Sequence, residues 1–304
     1  MGTKDTKDFP RACQALLEEV LKAAGLLTPN GSPTTVLPGR WNTIVDLGFG
    51  CGDQTLYLSQ NIRKSVDNRE SSHHLTDLPL FDSYTGITID FGQANYACGR
   101  LHAHNLLDEP RILLFCADAA NPKSWEAKEE LTGKMAGNKK RTVLPPLTTR
   151  TKDKHRWFLA LDCLYHFSPS REPILNHAFK EAEASIMAFD LLLSDNASAV
   201  ARFLLSQLGK LMGCPSNAFI TESEYRVLLV SAGYSNGNIY FKDISEHVFA
   251  PLTNFLSKRD TLLQSFGWGL GKLGVAKKLF EWWAKSGVVR GMIVVAKYES
   301  DVVK

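Results

Sequence analysis

Three glycines at alternate positions, Gly48, Gly50 and Gly52, form the stretch of this sequence with the clearest chemical meaning. They follow a short apolar run that ends in Asp46, and a segment with helical character begins near Asp53. Strand, glycine turn and helix in this order form the first half of a nucleotide-binding βαβ unit. Glycine permits the tight turn and lets a ligand approach where a β-carbon would block it. The stretch therefore predicts a small-molecule site at the end of the first strand.

The spacing of the glycines favours one class of ligand. A dinucleotide site uses G-x-G-x-x-G and holds the pyrophosphate at the helix N-terminus. Here the pattern is G-x-G-x-G, and Asp53 stands where the third dinucleotide glycine would be. A carboxylate there would repel a pyrophosphate. S-adenosylmethionine (SAM) has no phosphate and a net positive charge, which suits Asp46 and Asp53. We predict SAM, with a dinucleotide and a purely structural turn as the alternatives.

Polar residues recur where four predicted strands end, namely Asp46, Thr88, Asp118 and Asp162. The carboxyl ends of parallel strands meet at one edge of a sheet, and ligands of open α/β sheets bind beyond that edge. The recurrence at four ends is a stronger indication of a site than any one of these residues.

Apolar strand patterns and helical patterns alternate five times before a late pair of strands. This order predicts an α/β fold with a doubly wound, mostly parallel, seven-stranded sheet and helices on both faces. The predicted strands are Thr43–Val45, Tyr84–Ile89, Arg111–Cys116, Trp157–Leu161, Ser185–Leu193, Asn238–Ile244 and Val288–Tyr298. The predicted helices are Arg11–Leu27, a segment from Asp53, Phe91–His102, Asn121–Met135, Arg171–Glu183, Ala197–Met212, one capped by Thr221 with Glu224, and Val248–Ser286.

The organisation is that of a single domain over residues 1–304. Residues 1–40 hold the first helix and a linker rich in proline and glycine, and residues 245–286 form a helical segment before the last strand. The first helix either lies over the ligand cleft or serves only packing, and the sequence leaves both open. The basic stretch Gly137–His155 is interpreted as a surface insertion, because it is a long connection for a compact α/β unit. Its cations are expected to be solvated and not to form a binding patch, because no aromatic residues alternate with them.

Composition narrows the classes of function. At 44% hydrophobic and 22% charged residues, the chain is typical of a globular protein, and a net charge of +3 gives no reason to expect a nucleic-acid partner. The N-terminus lacks the apolar core of a signal peptide, and the six scattered cysteines suit a reducing, cytoplasmic location. His73 and His74 have no further ligands at a recognisable spacing, so we expect no metal.

With these residues placed, the chain resembles the class I SAM-dependent methyltransferases over roughly residues 42–300. The run from Asp46 to Gly52 is similar to their first motif. Asp118 and Ala119 resemble the motif that meets the adenine, and Asp162 the motif beneath the methionine portion. The resemblance implies a Rossmann-like methyltransferase fold, SAM as cofactor, S-adenosylhomocysteine as its product, and these residues as cofactor contacts.

One departure from the common pattern points to a branch of that family. Most class I enzymes end the second strand in an acid that binds the ribose, whereas this chain has Thr88 followed by Ile89. Together with Gln93, this resembles the branch of sterol and tocopherol C-methyltransferases and cyclopropane-fatty-acid synthases. That resemblance implies that Thr88, Ile89 and Gln93 contact the cofactor in place of the acid.

The same branch implies that residues 245–286 form a lid over an apolar small-molecule acceptor. The side chains that would supply such a surface are Phe249, Leu252, Phe255, Leu256, Phe266, Trp268, Leu270, Leu273, Phe280, Trp282 and Trp283. About half of them must serve ordinary core packing, because a helix buries one face. The nearby lysines, including Lys277 and Lys278, are expected to face water, with peripheral membrane contact as the less expected alternative.

His166 is the candidate for a general base, because histidine titrates near neutral pH and His166 follows the fourth strand. Asp162 precedes it by four residues, so the two side chains would share one face of a helical turn. Tyr165 would orient an acceptor or contact the sulfonium through its ring. The alternative is that the run from Tyr165 to Phe167 only packs beside the site.

The predicted function is therefore methyl transfer from SAM to an apolar acceptor through a carbon, nitrogen or oxygen nucleophile, with lipid or secondary metabolism as the expected setting. A SAM-binding protein with other chemistry, such as cyclisation, or with a regulatory role uses the same binding motifs and stays open. A nicotinamide oxidoreductase is the third class, and the glycine spacing and Asp53 argue against it.

Overall fold

The computed structural model describes residues 8–34, 41–62, 81–107, 109, 111–125, 154–211, 214–215 and 217–299. His73 and His74 lie outside the described residues, as do most of the expected helix Asn121–Met135 and of the expected insertion Gly137–His155.

The described residues form a seven-stranded sheet with the order β3-β2-β1-β4-β5-β7-β6. The strands are β1 (Trp41–Leu47), β2 (Ser83–Thr88), β3 (Ile112–Cys116), β4 (Lys154–Leu161), β5 (Ala184–Leu193), β6 (Ile239–Asp243) and β7 (Val289–Ala296). Strands β1 to β5 pair in parallel, and β7 lies antiparallel between β5 and β6. The expected mostly parallel sheet is confirmed, and its antiparallel strand is β7.

Helices connect the strands and cover both faces. They are α1 (Phe9–Ala24), α2 (Asp53–Gln60), α3 (Phe91–Ala103), α4 (Glu172–Lys180), α5 (Ala199–Leu211), α6 (Glu222–Ala232), α7 (Ser245–Gln264) and α8 (Lys272–Ser286). One apolar core joins α1, α2, α3, α7 and α8 to one face, through side chains such as Leu17 and Trp283. A second core joins α4 and α6 to the other face, through Ile174 and Tyr225.

Local signals place several helix ends where the sequence predicted them. Thr221 and Glu224 form the expected capping box, with the Thr221 Oγ1 accepting from the Glu224 N–H (3.1 Å) and the Glu224 Oε2 accepting from the Thr221 N–H (2.7 Å). Gly25 ends α1 in the left-handed conformation at φ +81°, three residues earlier than expected.

The segment before the last strand is a helical hairpin, not one continuous helical stretch. Helix α7 begins at Ser245, directly after β6, and α8 ends before β7, which pairs at Val289 with the carboxyl end of β5. Residues 265–271 interrupt the expected helix from Val248 to Ser286, and Gly267 and Gly271 adopt positive φ there. The hairpin therefore starts and ends at the sheet edge where the carboxyl ends of the parallel strands lie.

Candidate functional site

The glycine turn places three glycines in the left-handed region, at φ +71°, +59° and +83° for Gly48, Gly50 and Gly52. A β-carbon on Gly48 would lie 3.1 Å from the Cys163 Cβ, and one on Gly52 would lie 2.6 Å from the Ala97 Cβ. A β-carbon on Gly50 would meet nothing within 4 Å. Packing within the protein therefore accounts for the outer two glycines, whereas the open side of Gly50 is where a ligand can reach the backbone.

Asp46 is completely buried at the end of β1 and is held by protein groups on both oxygens. The Tyr84 hydroxyl donates to its Oδ2 (2.6 Å), and the Gln54 amide donates to its Oδ1 (3.1 Å). Burial raises the pKa of Asp46 to about 6, although these hydrogen bonds oppose the rise. The carboxylate thus ties β1 to β2 and α2, and a direct contact with SAM stays a prediction. Tyr84 and Gln54, which the sequence analysis missed, carry no local motif.

Asp53 does not stand as an isolated negative charge. Its Oδ1 pairs with the Arg100 guanidinium at 2.6 Å, and the same Arg100 Nη1 donates to the Cys51 carbonyl at 3.4 Å. Because Arg100 offsets the carboxylate, the expected repulsion of a pyrophosphate by Asp53 is weaker than the sequence suggested. The glycine spacing remains as the argument against a dinucleotide.

At the end of β2, Thr88 is buried and Ile89 is largely exposed, while Gln93 lies half-buried in the first turn of α3. Asp90, which the sequence analysis did not single out, caps α3 by accepting from the Gln93 N–H (2.9 Å). An aspartate three residues before a glutamine is the signal that would have found this cap.

At the end of β3, Asp118 uses its Oδ1 to accept from the Ala120 N–H (2.9 Å), and its carbonyl accepts from the Trp125 indole N–H (2.7 Å). Ala119 is buried beside it. The Asp118 carboxylate is half-buried, and its Oδ1 stabilises its own turn. Adenine binding by Asp118 and Ala119 stays a prediction.

At the end of β4, Asp162 adopts a positive φ of +57°, which is uncommon outside glycine. The Tyr165 hydroxyl donates to its Oδ1 (3.0 Å). The residue keeps access to solvent, yet enclosure of its carboxyl raises the pKa to about 6 against that hydrogen bond. Burial raises the pKa of Tyr165 well above its ordinary value.

The expected pairing of Asp162 with His166 is wrong. Within the part of the chain that the structure describes, His166 Nδ1 faces the Cys214 Sγ at 3.2 Å, and Asp162 pairs with Tyr165. The physical reason is that Leu164–His166 is a short 3-10 turn with Asp162 outside it, so residues four apart do not stack as in an α-helix. Burial lowers the pKa of His166, which keeps the imidazole neutral at neutral pH.

Helix α1 approaches this edge of the sheet. Burial raises the pKa of Cys13 on α1, and the negative charges of Asp53 and Asp162 raise it further. Cys13 therefore lies near both carboxylates. The ring of Phe9 at the start of α1 stacks on Phe255 of α7, with centroids 5.5 Å apart. Helix α1 also buries Leu17, Val20, Leu21 and Ala24, so it serves packing, and its contact with a bound ligand stays a prediction.

A cavity of about 330 Å³ lies beside α5 and the carboxyl end of β5. Its lining residues are Leu193, Arg202, Phe203, Leu205, Ser206, Pro215 and Phe219. Phe219 stacks on Tyr165 with centroids 6.2 Å apart and meets Trp283 of α8 at 5.9 Å. None of the lining residues belongs to the segment 245–286, so this cavity lies beside the hairpin and not beneath it.

The expected lid residues divide much as the sequence analysis anticipated. Phe249, Leu256 and Trp283 are buried in the core, and Phe280 and Trp282 pack against it. The exposed ones are Phe266, Trp268 and Leu273.

Among the described residues, no group of three or more His, Cys, Asp or Glu side chains is arranged to hold a metal ion. The absence of a metal requirement stays a prediction, since His73 and His74 lie outside those residues.

No protein family profile and no curated protein matches this chain. Several solved structures, in contrast, align with this chain. The [4+2]-cyclase SpnF aligns with a TM-score of 0.55 at 14% identity over 97% of this chain and 85% of its own. Geranyl diphosphate C-methyltransferase from Streptomyces coelicolor, solved with Mg²⁺, geranyl diphosphate and S-adenosylhomocysteine, aligns with a TM-score of 0.54 at 12% identity over 94% and 77%.

Haemonchus contortus phosphoethanolamine N-methyltransferase 2, solved with S-adenosylhomocysteine, aligns with a TM-score of 0.61 at 10% identity. The alignment covers 95% of this chain and 53% of that protein, so this chain spans about half of its length. At such identities the likeness establishes a fold, the Rossmann-like fold of SAM-dependent methyltransferases.

Proposed function

We propose that the protein binds SAM at the glycine turn and transfers its methyl group to an apolar small molecule. The observation that carries the proposal is the open side of Gly50 at the edge where β1, β2, β3 and β4 end in register. Solved proteins of this fold hold SAM or S-adenosylhomocysteine, including C- and N-methyltransferases.

In this proposal the adenosine portion lies between the ends of β2 and β3. Thr88 and Gln93 contact the ribose, Ile89 covers the cofactor with its exposed side chain, and Asp118 with Ala119 meets the adenine. Asp162 faces the methionine portion, whose ammonium group suits a carboxylate. Its pKa of about 6 leaves the carboxyl mostly ionised at neutral pH, so it can pair with that ammonium group.

SAM supplies an already activated methyl group, which a nucleophile takes by in-line displacement while the carbon–sulfur electron pair stays on sulfur. The protein must hold the acceptor in line, exclude water and remove a proton when the acceptor carries one. His166 is neutral and reachable from solvent, so it can accept that proton. Tyr165 donates to Asp162 and presents its ring toward Phe219, where it orients the acceptor.

The cavity lined by Phe219, which stacks on Tyr165, is the candidate location for the acceptor. Four of its lining residues, Leu193, Phe203, Leu205 and Phe219, are large and apolar. Pockets of this size and composition hold small molecules through shape and burial, with a few polar groups fixing orientation. Arg202 and Ser206 are the polar groups here. The hairpin α7–α8 borders this region through Trp283, which contacts Phe219.

The cofactor assignment is tested with a variant of Gly50 and a matched control. Gly50→Val places a side chain in the ligand's approach, so calorimetry should show SAM binding to the parent and little to the variant. Gly31→Val is the control, because Gly31 also has a positive φ and open space around its missing β-carbon. Equal SAM affinity in the folded Gly50 variant would overturn the site.

The reaction is tested by incubating the protein with methyl-labelled SAM and a metabolite extract, followed by mass spectrometry. A labelled product with matching S-adenosylhomocysteine supports methyl transfer. His166→Gln should then lower kcat and leave SAM affinity unchanged.

A second function, SAM binding with non-methylating chemistry, is favoured by the likeness to the cyclase SpnF over 97% of this chain. SAM binding without formation of S-adenosylhomocysteine would favour this non-methylating function. Binding of NADH in place of SAM would select an oxidoreductase.

A further inference from the structure

The turn between α7 and α8 carries an unusual concentration of exposed apolar side chains. Phe266 is 77% exposed, Trp268 71% and Val275 72%. Leu262 and Leu273, on either side of the turn, are also more than half exposed. We call these five residues the hairpin tip. Most large apolar side chains in a folded protein are covered, and a contiguous exposed group usually marks an interaction site.

The hairpin tip projects from a well-packed base. Phe249 and Trp283, near the outer ends of the two helices, are buried and their rings meet at 5.6 Å. The turn is itself ordered, because the Trp268 N–H donates to the Leu263 carbonyl at 3.0 Å. Phe255 lies in α7 between the base and the tip, and its ring contacts the Phe9 ring and the Arg259 guanidinium. Neither Phe266 nor Trp268 has a ring contact with another described residue.

The charge around the hairpin tip is mostly positive. Residues 258–281 contain five cations, Lys258, Arg259, Lys272, Lys277 and Lys278, against two acids, Asp260 and Glu281. Lys258 and Arg259 are exposed. Neither Lys277 nor Lys278 forms an ion pair with another described residue. The hairpin tip thus combines exposed phenylalanine, tryptophan and aliphatic groups with an excess of cations in the same segment.

We propose that the hairpin tip docks on the surface of an anionic lipid bilayer. Tryptophan and phenylalanine partition into the boundary between headgroups and acyl chains, and flanking lysines are attracted to anionic headgroups. None of the helices that the structure describes has the length and apolar content to cross a bilayer, so the contact is with the surface. This departs from the expectation that the lysines only face water, because the exposure of five apolar residues was not visible in the sequence.

A second copy of the chain is the competing occupant of an apolar tip. The charge argues against it, because a self-complementary contact would bring the cations of two tips together, and like charges repel. An anionic bilayer supplies the opposite charge and the apolar phase in one surface. The proposal does not depend on methyl transfer.

The test is sedimentation of the full-length protein with sucrose-loaded vesicles, without SAM or acceptor. Vesicles of phosphatidylcholine with 30% phosphatidylserine, roughly the anionic content that gives a strong surface potential, are compared with pure phosphatidylcholine. We expect binding to the anionic vesicles, at least about tenfold weaker binding to the neutral ones, and a loss of binding as salt rises. Phe266→Ser with Trp268→Ser should reduce binding at least about tenfold by removing the inserted groups.

Val200→Ser with Leu204→Ser is the matched control, because these apolar residues of α5 are also exposed, at 68% and 47%, and do not line the cavity. That variant should bind vesicles like the parent. Circular dichroism checks that both variants fold. Lys277→Gln with Lys278→Gln should weaken binding to anionic vesicles alone.

Three results would overturn the proposal. They are no vesicle binding by the parent, equal loss in the hairpin-tip and α5 variants, and a dimer in light scattering that becomes a monomer in the Phe266 and Trp268 variant. Because SAM is absent from every measurement, failure of the docking proposal leaves the proposed methyl transfer untouched, and the reverse also holds.

Discussion

Arg171 and Asp190 form an ion pair at 3.0 Å that is almost entirely closed to solvent, with 2% and 0% of the side chains exposed. Arg171 precedes α4 and also donates to the Ala218 carbonyl at 2.9 Å. Asp190 lies in β5 and accepts the backbone N–H of Tyr165. The pair therefore connects the turn that carries Tyr165 and His166 with the segment that follows Cys214, the partner of His166.

Replacing Arg171 with methionine should lower the free energy of unfolding by about 3–5 kcal/mol, because it leaves the Asp190 carboxylate buried without its cation. Urea unfolding measures the change. Arg11→Met is the control, since Arg11 is 79% exposed and 3.9 Å from Asp8, and an exposed pair contributes less than about 1 kcal/mol. A loss at Arg171 no larger than that at Arg11 would contradict the structural role of the pair.

Stability should depend on pH through Asp46. Its pKa is raised from 3.8 to about 6 in the folded state, so between these values the folded protein binds more protons than the unfolded chain. Stability from this group is therefore present below about pH 4 and is lost as the pH rises through about 6, by at most about 3 kcal/mol. Relative to Asp46→Asn, the parent should lose stability over that interval in denaturant titrations. A difference that stays constant, or rises, with pH would refute this assignment.

Thr88→Val should weaken SAM binding by about 0.5–1.5 kcal/mol, the contribution of one hydrogen bond, because it removes the hydroxyl and keeps the branched shape. Calorimetry measures the affinity. Thr85→Val, three residues earlier in β2 and also buried, is the matched control and should bind SAM like the parent. An S-adenosylhomocysteine complex whose ribose is held only by other side chains would exclude the contact.

Ser206→Trp should block the acceptor and spare the cofactor. Ser206 lines the cavity of about 330 Å³, and an indole ring there would occupy much of it. We expect labelled product to fall at least about tenfold while SAM affinity in calorimetry stays the same. Gln207→Trp is the control, because Gln207 is exposed on the same helix and does not line the cavity. Full product formation by the Ser206 variant would place the acceptor elsewhere, with the space beneath the α7–α8 hairpin as the next location to test.

Local patterns in the sequence were sufficient to determine the fold. The apolar runs located the strands within one or two residues in most cases, because strand and helix periodicity depend on near neighbours. The glycine turn was recognisable for the same reason, since positive φ at Gly48, Gly50 and Gly52 is a property of the local backbone. The order of the elements then fixed the edge at which Asp46, Thr88, Asp118 and Asp162 meet.

Only the tertiary structure decided which side chains pair at that edge. Tyr84 reaches Asp46 across 38 positions, and Cys214 reaches His166 across 48. Arg171, at the start of α4, reaches Asp190 in β5. Such pairs depend on how helices pack on the sheet, which no periodicity encodes. The exposure of the hairpin tip likewise depends on tertiary packing. The sequence showed that Phe266 and Trp268 are apolar, whereas only the structure shows that they are exposed while Phe249 and Trp283 at the base of the hairpin are buried.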